Sequence, residues 1–238
     1  MLPYQQNIFF FTMTLKERYR RTIEYFEINR PVAETELNYH DPFELIVAVI
    51  LSAQCTDKRV NLITPKLLEK YPDPGSMARA EPSEIYEYIR SCSYPNNKAK
   101  HLSGMARMLV KDFGGVVPEE PSLLQRLPGV GRKTANVVAS VAYHKPVMAV
   151  DTHVFRVSKR IGLVRNARNP ADAENQLSFN IPPELIHKAH HWLILHGRYT
   201  CKARTPLCSQ CGLSGFCKYF SENQKRNKTI FAQLMMFF

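Results

Sequence analysis

The sequence predicts an all-α fold. Apolar residues recur at helical spacing along most of the chain, and several of these segments open with a capping residue or a proline. No Asn-Gly or Asp-Gly hairpin signal occurs. The 238 residues, 45% hydrophobic and 22% charged, are enough for a buried core and exclude a mostly disordered chain.

Local signals place the individual helices. Thr14, followed by Glu17, opens the first one as an N-cap. Asp41 and Pro42 open an apolar run to Leu51 that could be a buried strand, but its length and cap favour a core helix. Further helices are predicted at 60–71, 82–91, 97–113, 121–127, 132–143, 152–161, 170–179 and 183–196.

Breaks and termini complete this outline. The stretch 72–75, Pro-Asp-Pro-Gly, predicts a loop. Residues 1–13 are expected to form a disordered extension, although an ordered arm is the alternative, and 221–238 a C-terminal tail. No secretory signal is recognisable, and the apolar runs are far shorter than the ~20 residues that span a bilayer, so a soluble protein is expected.

The charge indicates a polyanionic partner. Lys and Arg number 32 against 21 Asp and Glu, giving a net charge of +11. Nucleic acid is the commonest partner of such a chain, and a basic solvated surface is the alternative. Charge alone predicts no chemistry.

Residues 127–135, Leu-Pro-Gly-Val-Gly-Arg-Lys-Thr-Ala, are the strongest local motif. Gly129 and Gly131 allow positive φ and close approach, and the helix that follows would point free N–H groups at a phosphate. Arg132 interrupts the Gly-Lys-Thr of a nucleotide P-loop. A helix-hairpin-helix DNA clamp at about 122–142 is therefore favoured over a merely structural Gly-rich turn.

Two residues could carry catalysis. Lys133 lies at this helix N-terminus, where the dipole and Arg132 disfavour the ammonium form and burial would do so further. A partly neutral amine there could attack a carbonyl-like carbon and form a Schiff base. A solvated or phosphate-binding lysine is the alternative. Asp151 follows an apolar run and is typical of an N-cap, while its carboxylate could also stabilise a cationic sugar or move a proton.

Four cysteines form a cluster in sequence. Their spacing has six, two and five intervening residues, and they are Cys201, Cys208, Cys211 and Cys217. Structural zinc sites usually join two close pairs, whereas this spacing favours a [4Fe–4S] cluster, with zinc as the alternative. The basic residues around this loop suggest that it faces DNA.

Together these segments resemble the endonuclease III family of DNA glycosylases and abasic-site lyases. The resemblance covers about residues 14–220 and rests on the cysteine spacing and on the segments at 51–57, 127–138, 150–157 and 190–201. It implies two domains with DNA between them. A six-helix barrel would span 35–145, and an iron–sulfur cluster domain would combine 14–34 with 146–220.

The resemblance also implies residue roles. Lys133 would be the nucleophile and Asp151 the essential carboxylate. Gln54 would fill the space left by a flipped base, and His153 would lie near the damaged strand. The family's second wedge residue is often leucine, whereas Tyr94 stands there in this chain. The hairpin would bind the backbone through Gly129, Val130, Gly131 and Arg132.

The implied function is base excision repair of oxidised pyrimidines in double-stranded DNA, with strand cleavage by β-elimination through a lysine Schiff base. We expect a monomer in the bacterial cytoplasm, associated with the nucleoid. Mismatch adenine glycosylases are one alternative, but they lack a lysine at position 133 and carry a further C-terminal domain. A non-catalytic helix-hairpin-helix DNA-binding protein with a structural metal is the other.

Overall fold

The computed structural model describes residues 13–224 and 226, and this part of the chain is all-α, as predicted, with no strand. It contains the helices α1 (Leu15–Asn29), α2 (Pro42–Ser52), α3 (Asp57–Lys70), α4 (Pro74–Arg79), α5 (Pro82–Ile89), α6 (Pro95–Phe113), α7 (Pro121–Leu124), α8 (Arg132–Tyr143), α9 (Thr152–Ile161), α10 (Pro170–Asn180) and α11 (Ile186–Tyr199).

The ends of the chain lie largely outside the described residues. Of the extension expected at 1–13, only Met13 is described. Of the tail expected at 221–238, residues 221–224 continue a helix that begins at 218. Within the described ranges, no helix combines the length and the apolarity needed to cross a membrane.

Side-chain caps start the helices where the sequence predicts them. Thr14 accepts a hydrogen bond from the Glu17 N–H at 3.2 Å. Asp41 accepts one from the Glu44 N–H at 2.8 Å, with Pro42 in the first turn. These caps satisfy N–H groups that the helix itself leaves unpaired.

The loop predicted at 72–75 is confirmed at residues 72–73 but is wrong at 74–75, where α4 begins. Asp73 caps Ser76 N–H at 2.8 Å, and the Ser76 hydroxyl lies 3.3 Å from the Asp73 N–H, which forms a capping box. Pro74 occupies the first helical position, where its missing N–H costs nothing. The Pro-Gly pair therefore begins the short helix α4, and the loop that separates it from α3 is limited to 71–73.

The helices bury two separate apolar clusters. The first lies within residues 37–139 and is centred on α2, which has eight buried residues among its eleven. Helix α2 packs against α3, α6 and α8. Its nearly continuous apolar sequence follows from this central position.

The second apolar cluster joins distant parts of the chain. It combines α1 with residues 148–213, including α9, α10 and α11. Phe26 of α1 stacks on Trp192 of α11 at 5.7 Å, and the Trp192 indole donates to the Arg30 carbonyl at 2.8 Å. Trp192 therefore packs in this cluster and also fixes the end of α1 by a hydrogen bond.

Candidate active site

The Gly-rich motif forms the turn between α7 and α8. Gly129 has φ +81°, and a Cβ there would lie 2.8 Å from the Cβ of His101, so no side chain fits. Gly131 is the N-cap of α8 and supplies no side-chain hydrogen bond to it. The first N–H groups of α8 therefore stay available to an external acceptor. Val130 packs its side chain into the first core, which leaves only its backbone for DNA.

Arg132 is not a free cation. Its guanidinium pairs with Glu174 of α10, with Nη2–Oε1 at 2.8 Å and Nε–Oε2 at 3.2 Å. Glu174 also accepts from the Asn136 amide at 3.2 Å and raises the pKa of Arg132. The expected influence of the Arg132 charge on Lys133 is thus offset by this carboxylate. Nothing in the sequence pointed to Glu174, because it lies 42 residues from Arg132.

Lys133 and Asp151 line the same open cleft, of about 1310 Å³, together with Gln54 and His153. Lys133, in the first turn of α8, is exposed, so the burial considered from the sequence is absent. Among the described residues it forms no ion pair. Asp151 is half-buried and caps α9 by accepting the Val154 N–H at 2.7 Å. A cation and a carboxylate therefore meet solvent in one cleft.

A buried histidine lies behind the cleft. His190 is 2% exposed and lines an adjoining cavity with Lys133 and Asp151. Its Nδ1 lies 2.8 Å from the Ala149 carbonyl oxygen, to which a neutral ring donates. Burial, followed by the nearby His191, lowers the pKa of His190 to about 3. The residue is therefore a neutral support beneath the segment that carries Asp151.

An ion cluster absent from our sequence prediction also borders the cleft. Arg198 of α11 donates to Asp57 at 2.7 Å and to Glu36. Burial opposes the charged guanidinium, but the two carboxylates raise the pKa of Arg198. A signal did exist, because Asp57 and Arg198 belong to two of the motifs that carry the family resemblance.

Gln54 and Tyr94 occupy the tips of neighbouring loops. Both have φ +55°, in the left-handed region that non-glycine residues rarely adopt, and both are exposed. The Ser93 hydroxyl donates to the Gln54 carbonyl at 2.6 Å and joins the loops. Such strained backbone persists only where surrounding structure imposes it, and it is frequent at functional sites.

His153 is held between α9 and α11. Its Nδ1 lies 3.2 Å from Arg156 Nη2, and the same guanidinium donates to the Gly197 carbonyl at 2.9 Å. A Cβ at position 197 would approach the His153 Cβ to 2.9 Å. Gly197 therefore allows the two helices to come close enough to orient the cleft histidine.

All four clustered cysteines line one pocket. In the part of the chain that the structure describes, no three cysteine, histidine or carboxylate residues are arranged to hold a single metal ion. The thiols therefore fit a larger inorganic core better than one zinc ion. Burial raises the pKa of the thiols of Cys208, Cys211 and Cys217, and a bound metal core would supply the positive charge that thiolates need.

Two arginines fix the backbone around this pocket. Arg160 donates to the carbonyls of Lys202 and Ala203, both at 2.7 Å, and its Nη1 lies 3.5 Å from the Cys201 sulfur. Arg18 of α1 donates to the Ile161 carbonyl at 2.9 Å. Arg18 also donates to the Phe216 carbonyl, so the loop is tied to both α1 and α9.

This combination of an uncapped hairpin helix, a Lys–Asp cleft and a four-cysteine pocket defines a class of DNA repair protein. The HhH-GPD superfamily of base excision DNA repair proteins matches residues 47–183. The iron–sulfur binding domain of endonuclease III matches residues 201–217.

Individual relatives agree with this class. The chain is 47% identical to an endonuclease III of Bacillus subtilis over 83% of this chain and 89% of that protein. It is 44% identical to one from Escherichia coli K12, over 80% and 90%. A trapped endonuclease III–DNA covalent intermediate superposes with TM-score 0.84 at 42% identity, covering 89% of this chain and all of that one.

The chain belongs to the endonuclease III family. It is a base excision repair enzyme, a DNA glycosylase and abasic-site lyase that acts on DNA. Its cofactor is a [4Fe–4S] cluster.

Proposed function

We propose that this enzyme removes oxidised pyrimidines from double-stranded DNA and then cuts the abasic site by β-elimination, with Lys133 as nucleophile and Asp151 as the essential carboxylate. The observation that carries this proposal is the shared cleft, where Lys133 at the α8 N-terminus and Asp151 at the α9 N-terminus face the same space. The trapped covalent intermediate of a similar endonuclease III with DNA supports a covalent step in the reaction.

In the first chemical step the ammonium of Lys133 gives up a proton to solvent, and the resulting amine adds to the sugar C1′ while the C1′–N bond to the base breaks. The base takes up a proton as it leaves. The sugar ring then opens to a protonated imine between Lys133 and C1′. Positive charge develops on the sugar during base loss, and the Asp151 carboxylate stabilises it electrostatically.

The second step cuts the strand. Removal of a proton from C2′ of the imine expels the 3′ oxygen with its phosphate, and water finally hydrolyses the imine to release Lys133. Asp151 is suited to the proton transfers because one carboxylate oxygen is fixed by the Val154 N–H, which orients the group.

DNA binding follows from the surrounding elements. The N–H groups at the α8 N-terminus would bind a backbone phosphate near Gly129, Val130 and Gly131. Gln54 and Tyr94 would enter the duplex from adjoining loops, filling the space of the flipped nucleotide, whose unstacking costs a few kcal/mol. The net charge of +11 supports this binding and the expected association with the bacterial nucleoid.

We assign the cluster to Cys201, Cys208, Cys211 and Cys217. When bound, the cluster supplies four metal–thiolate bonds that close the loop around one rigid core. The two apolar clusters support a division into a barrel domain at 35–145 and a cluster domain made of 14–34 and 146–220. Residues from both proposed domains, such as Gln54 and His153, line the cleft.

Borohydride trapping on abasic DNA tests the assignment of Lys133. Lys133→Gln should abolish both the covalent complex and strand cleavage, because the imine cannot form. DNA affinity should fall only modestly, and the slope of log affinity against log salt concentration should change by at most about one. Lys111→Gln, at an exposed position in the last turn of α6, is the matched control and should trap like the parent enzyme. Trapping by Lys133→Gln at the parent yield would show that another amine carries the reaction. Base release without any trapping by the parent enzyme would favour an adenine-glycosylase-like mechanism.

A further inference from the structure

Two cysteines outside the cluster loop lie in contact. Cys55 follows Gln54 in the loop between α2 and α3, and Cys92 lies two residues before Tyr94 in the loop between α5 and α6. Their sulfur atoms are 3.7 Å apart, and both are free thiols. Neither belongs to the segment 201–217 that matches the iron–sulfur domain. The catalytic reaction described above uses neither of them.

The two thiols differ in their access to solvent. Cys55 is half-buried and lines the same cleft as Lys133, so a small molecule can reach it. Cys92 is buried, and burial together with the contact to Cys55 raises its pKa to about 11. The pair therefore has an accessible attacking thiol and a shielded second thiol.

A buried cation stands beside the pair. The Lys98 ammonium donates to the carbonyls of Leu51 and Ala53, at 2.8 and 2.7 Å, where α2 ends. Its charge favours a thiolate at Cys92. Once Cys55 is bonded to another sulfur, its contribution to the raised pKa of Cys92 disappears, while burial still raises this pKa and Lys98 still lowers it.

We propose that Cys55 and Cys92 form a thiol–disulfide site that reacts with low-molecular-weight disulfides, and that closing this disulfide weakens DNA binding. The second half of the proposal rests on the proposed insertion of Gln54 and Tyr94 into the duplex. The first half stands on the contact between the two sulfurs alone.

The exchange proceeds in two steps. The Cys55 thiolate attacks one sulfur of the small disulfide, its S–S bond breaks, and one small thiol leaves after taking up a proton. The Cys92 thiolate, having lost its proton to solvent, attacks the Cys55 sulfur and displaces the second small thiol. The two protein thiols are thereby oxidised by two electrons, and the small disulfide is reduced to two thiols.

Closing the bond changes the loops that carry the proposed wedge residues. A disulfide is about 2.05 Å long, so the two sulfurs must approach by about 1.6 Å. The hydrogen bond from Ser93 to Gln54 already joins the two loops. We therefore expect the approach of the sulfurs to displace the loop tips. A displacement of about 1 Å in a positioning element can cost about 10²-fold in an enzymatic step.

The test uses the cluster-bearing enzyme, kept anaerobic, in glutathione buffers of increasing oxidised fraction. Peptide mass mapping locates any disulfide, absorbance near 400 nm reports the cluster, and affinity is measured for a duplex containing a non-cleavable abasic analogue. We expect a bond between Cys55 and Cys92, about tenfold weaker DNA binding, full reversal by dithiothreitol and an unchanged cluster. Because the coupling is reciprocal, saturating duplex should make the bond between Cys55 and Cys92 harder to form. The ratio [oxidised glutathione]/[reduced glutathione]² at which half of the protein carries this disulfide should rise about tenfold.

Cys55→Ser, which lacks the attacking thiol, is the control, and Cys92→Ala is a second variant that should stop at the mixed disulfide between Cys55 and glutathione. Oxidised buffer should leave the DNA affinity of Cys55→Ser unchanged. The proposal is overturned if no bond between Cys55 and Cys92 forms in oxidised glutathione, or if Cys55→Ser loses affinity as the parent enzyme does. A bond that forms without changing DNA affinity refutes the coupling, whereas lysine trapping by the reduced enzyme tests the catalytic proposal separately.

Discussion

The helices α8 and α9 both begin at the cleft, but their N-termini are built in opposite ways. At α8, Gly131 provides no side-chain cap, and a Cβ there would meet nothing within 4 Å. At α9, the Asp151 carboxylate covers the first turn. Both helix ends carry the same positive dipole potential. One end is left open for an anion from outside, while the other is satisfied by the carboxylate of Asp151, for which we propose a second role in the reaction.

The largest effect on the reaction rate should come from removing the negative charge of Asp151. Asp151→Asn keeps an oxygen that can cap α9, so the melting temperature should change little. Base excision should slow by about 10²–10⁴-fold, because the carboxylate no longer assists charge development and proton transfer. Single-turnover rates and thermal unfolding measured on the same preparation separate the two roles.

Asp151→Ala is the control for this variant, because it removes the cap as well. It should lose activity to a similar extent and also about 1 kcal/mol of stability. If Asp151→Asn kept the parent rate, Asp151 would be a cap only.

A smaller effect, on DNA affinity, should come from adding a side-chain cap at the N-terminus of α8. Gly131→Asp places a carboxylate at the N-cap of α8, where φ is −85° and the space is free. The helix should gain about 0.3 kcal/mol, whereas duplex affinity should fall about tenfold with a salt slope smaller by about one. Gly131→Asn has the same shape without the charge and should bind more nearly like the parent enzyme. Equal affinity for Gly131→Asp and the parent would mean that this helix end meets no phosphate.

The buried His190 should make the folded enzyme less stable in acid. His190 has its pKa lowered from 6.5 to about 3 by burial, so between these values the unfolded chain binds the extra proton. Stability from this residue is therefore complete above pH 6.5 and lost as the pH falls towards 3, by up to about 1.4 kcal/mol per pH unit. Thermal unfolding across pH 4.5–7.5 measures the slope. His190→Asn can still donate to Ala149 but cannot become charged, so its slope should be shallower, and an identical slope would contradict the role given to His190.

The smallest effect should come from removing the Tyr94 side chain from the loop between α5 and α6. Tyr94→Gly removes the proposed wedge at a backbone angle that glycine adopts freely, so folding should be preserved or slightly improved. Base removal in duplex DNA should slow several-fold, and cleavage of a preformed abasic site should be spared more. Tyr94→Leu, which keeps an apolar wedge, is the control. Equal losses on the two substrates would show that Tyr94 only shapes its loop.

The predictable parts of this molecule are the local ones. The caps at Thr14, Asp41 and Asp151 could be identified because donor and acceptor lie three residues apart. The error at α4 was also local, since a Pro-Gly pair after Asp73 suits a helix start as well as a turn.

The parts that escaped prediction depend on the tertiary fold. The ion pair of Arg132 with Glu174 joins α8 to α10, and that of Arg198 with Asp57 spans 141 residues. The backbone of Gln54 and Tyr94 is held at φ +55° by packing that no local pattern encodes. The sequence predicts the candidate site residues, but it does not predict that the carboxylate of Glu174 pairs with one of them, Arg132.

The stacking of Phe26 on Trp192 has a consequence for synthesis of the chain on the ribosome. Residues 37–139 can bury their core as soon as they emerge, because that cluster is contiguous in sequence. Helix α1 emerges earlier and must wait for α9–α11, more than 120 residues later. At about 5–20 residues per second, its apolar face stays unpartnered for roughly 6–25 s or longer. The nascent chain thus exposes an aromatic helix to chaperones before the second core can form.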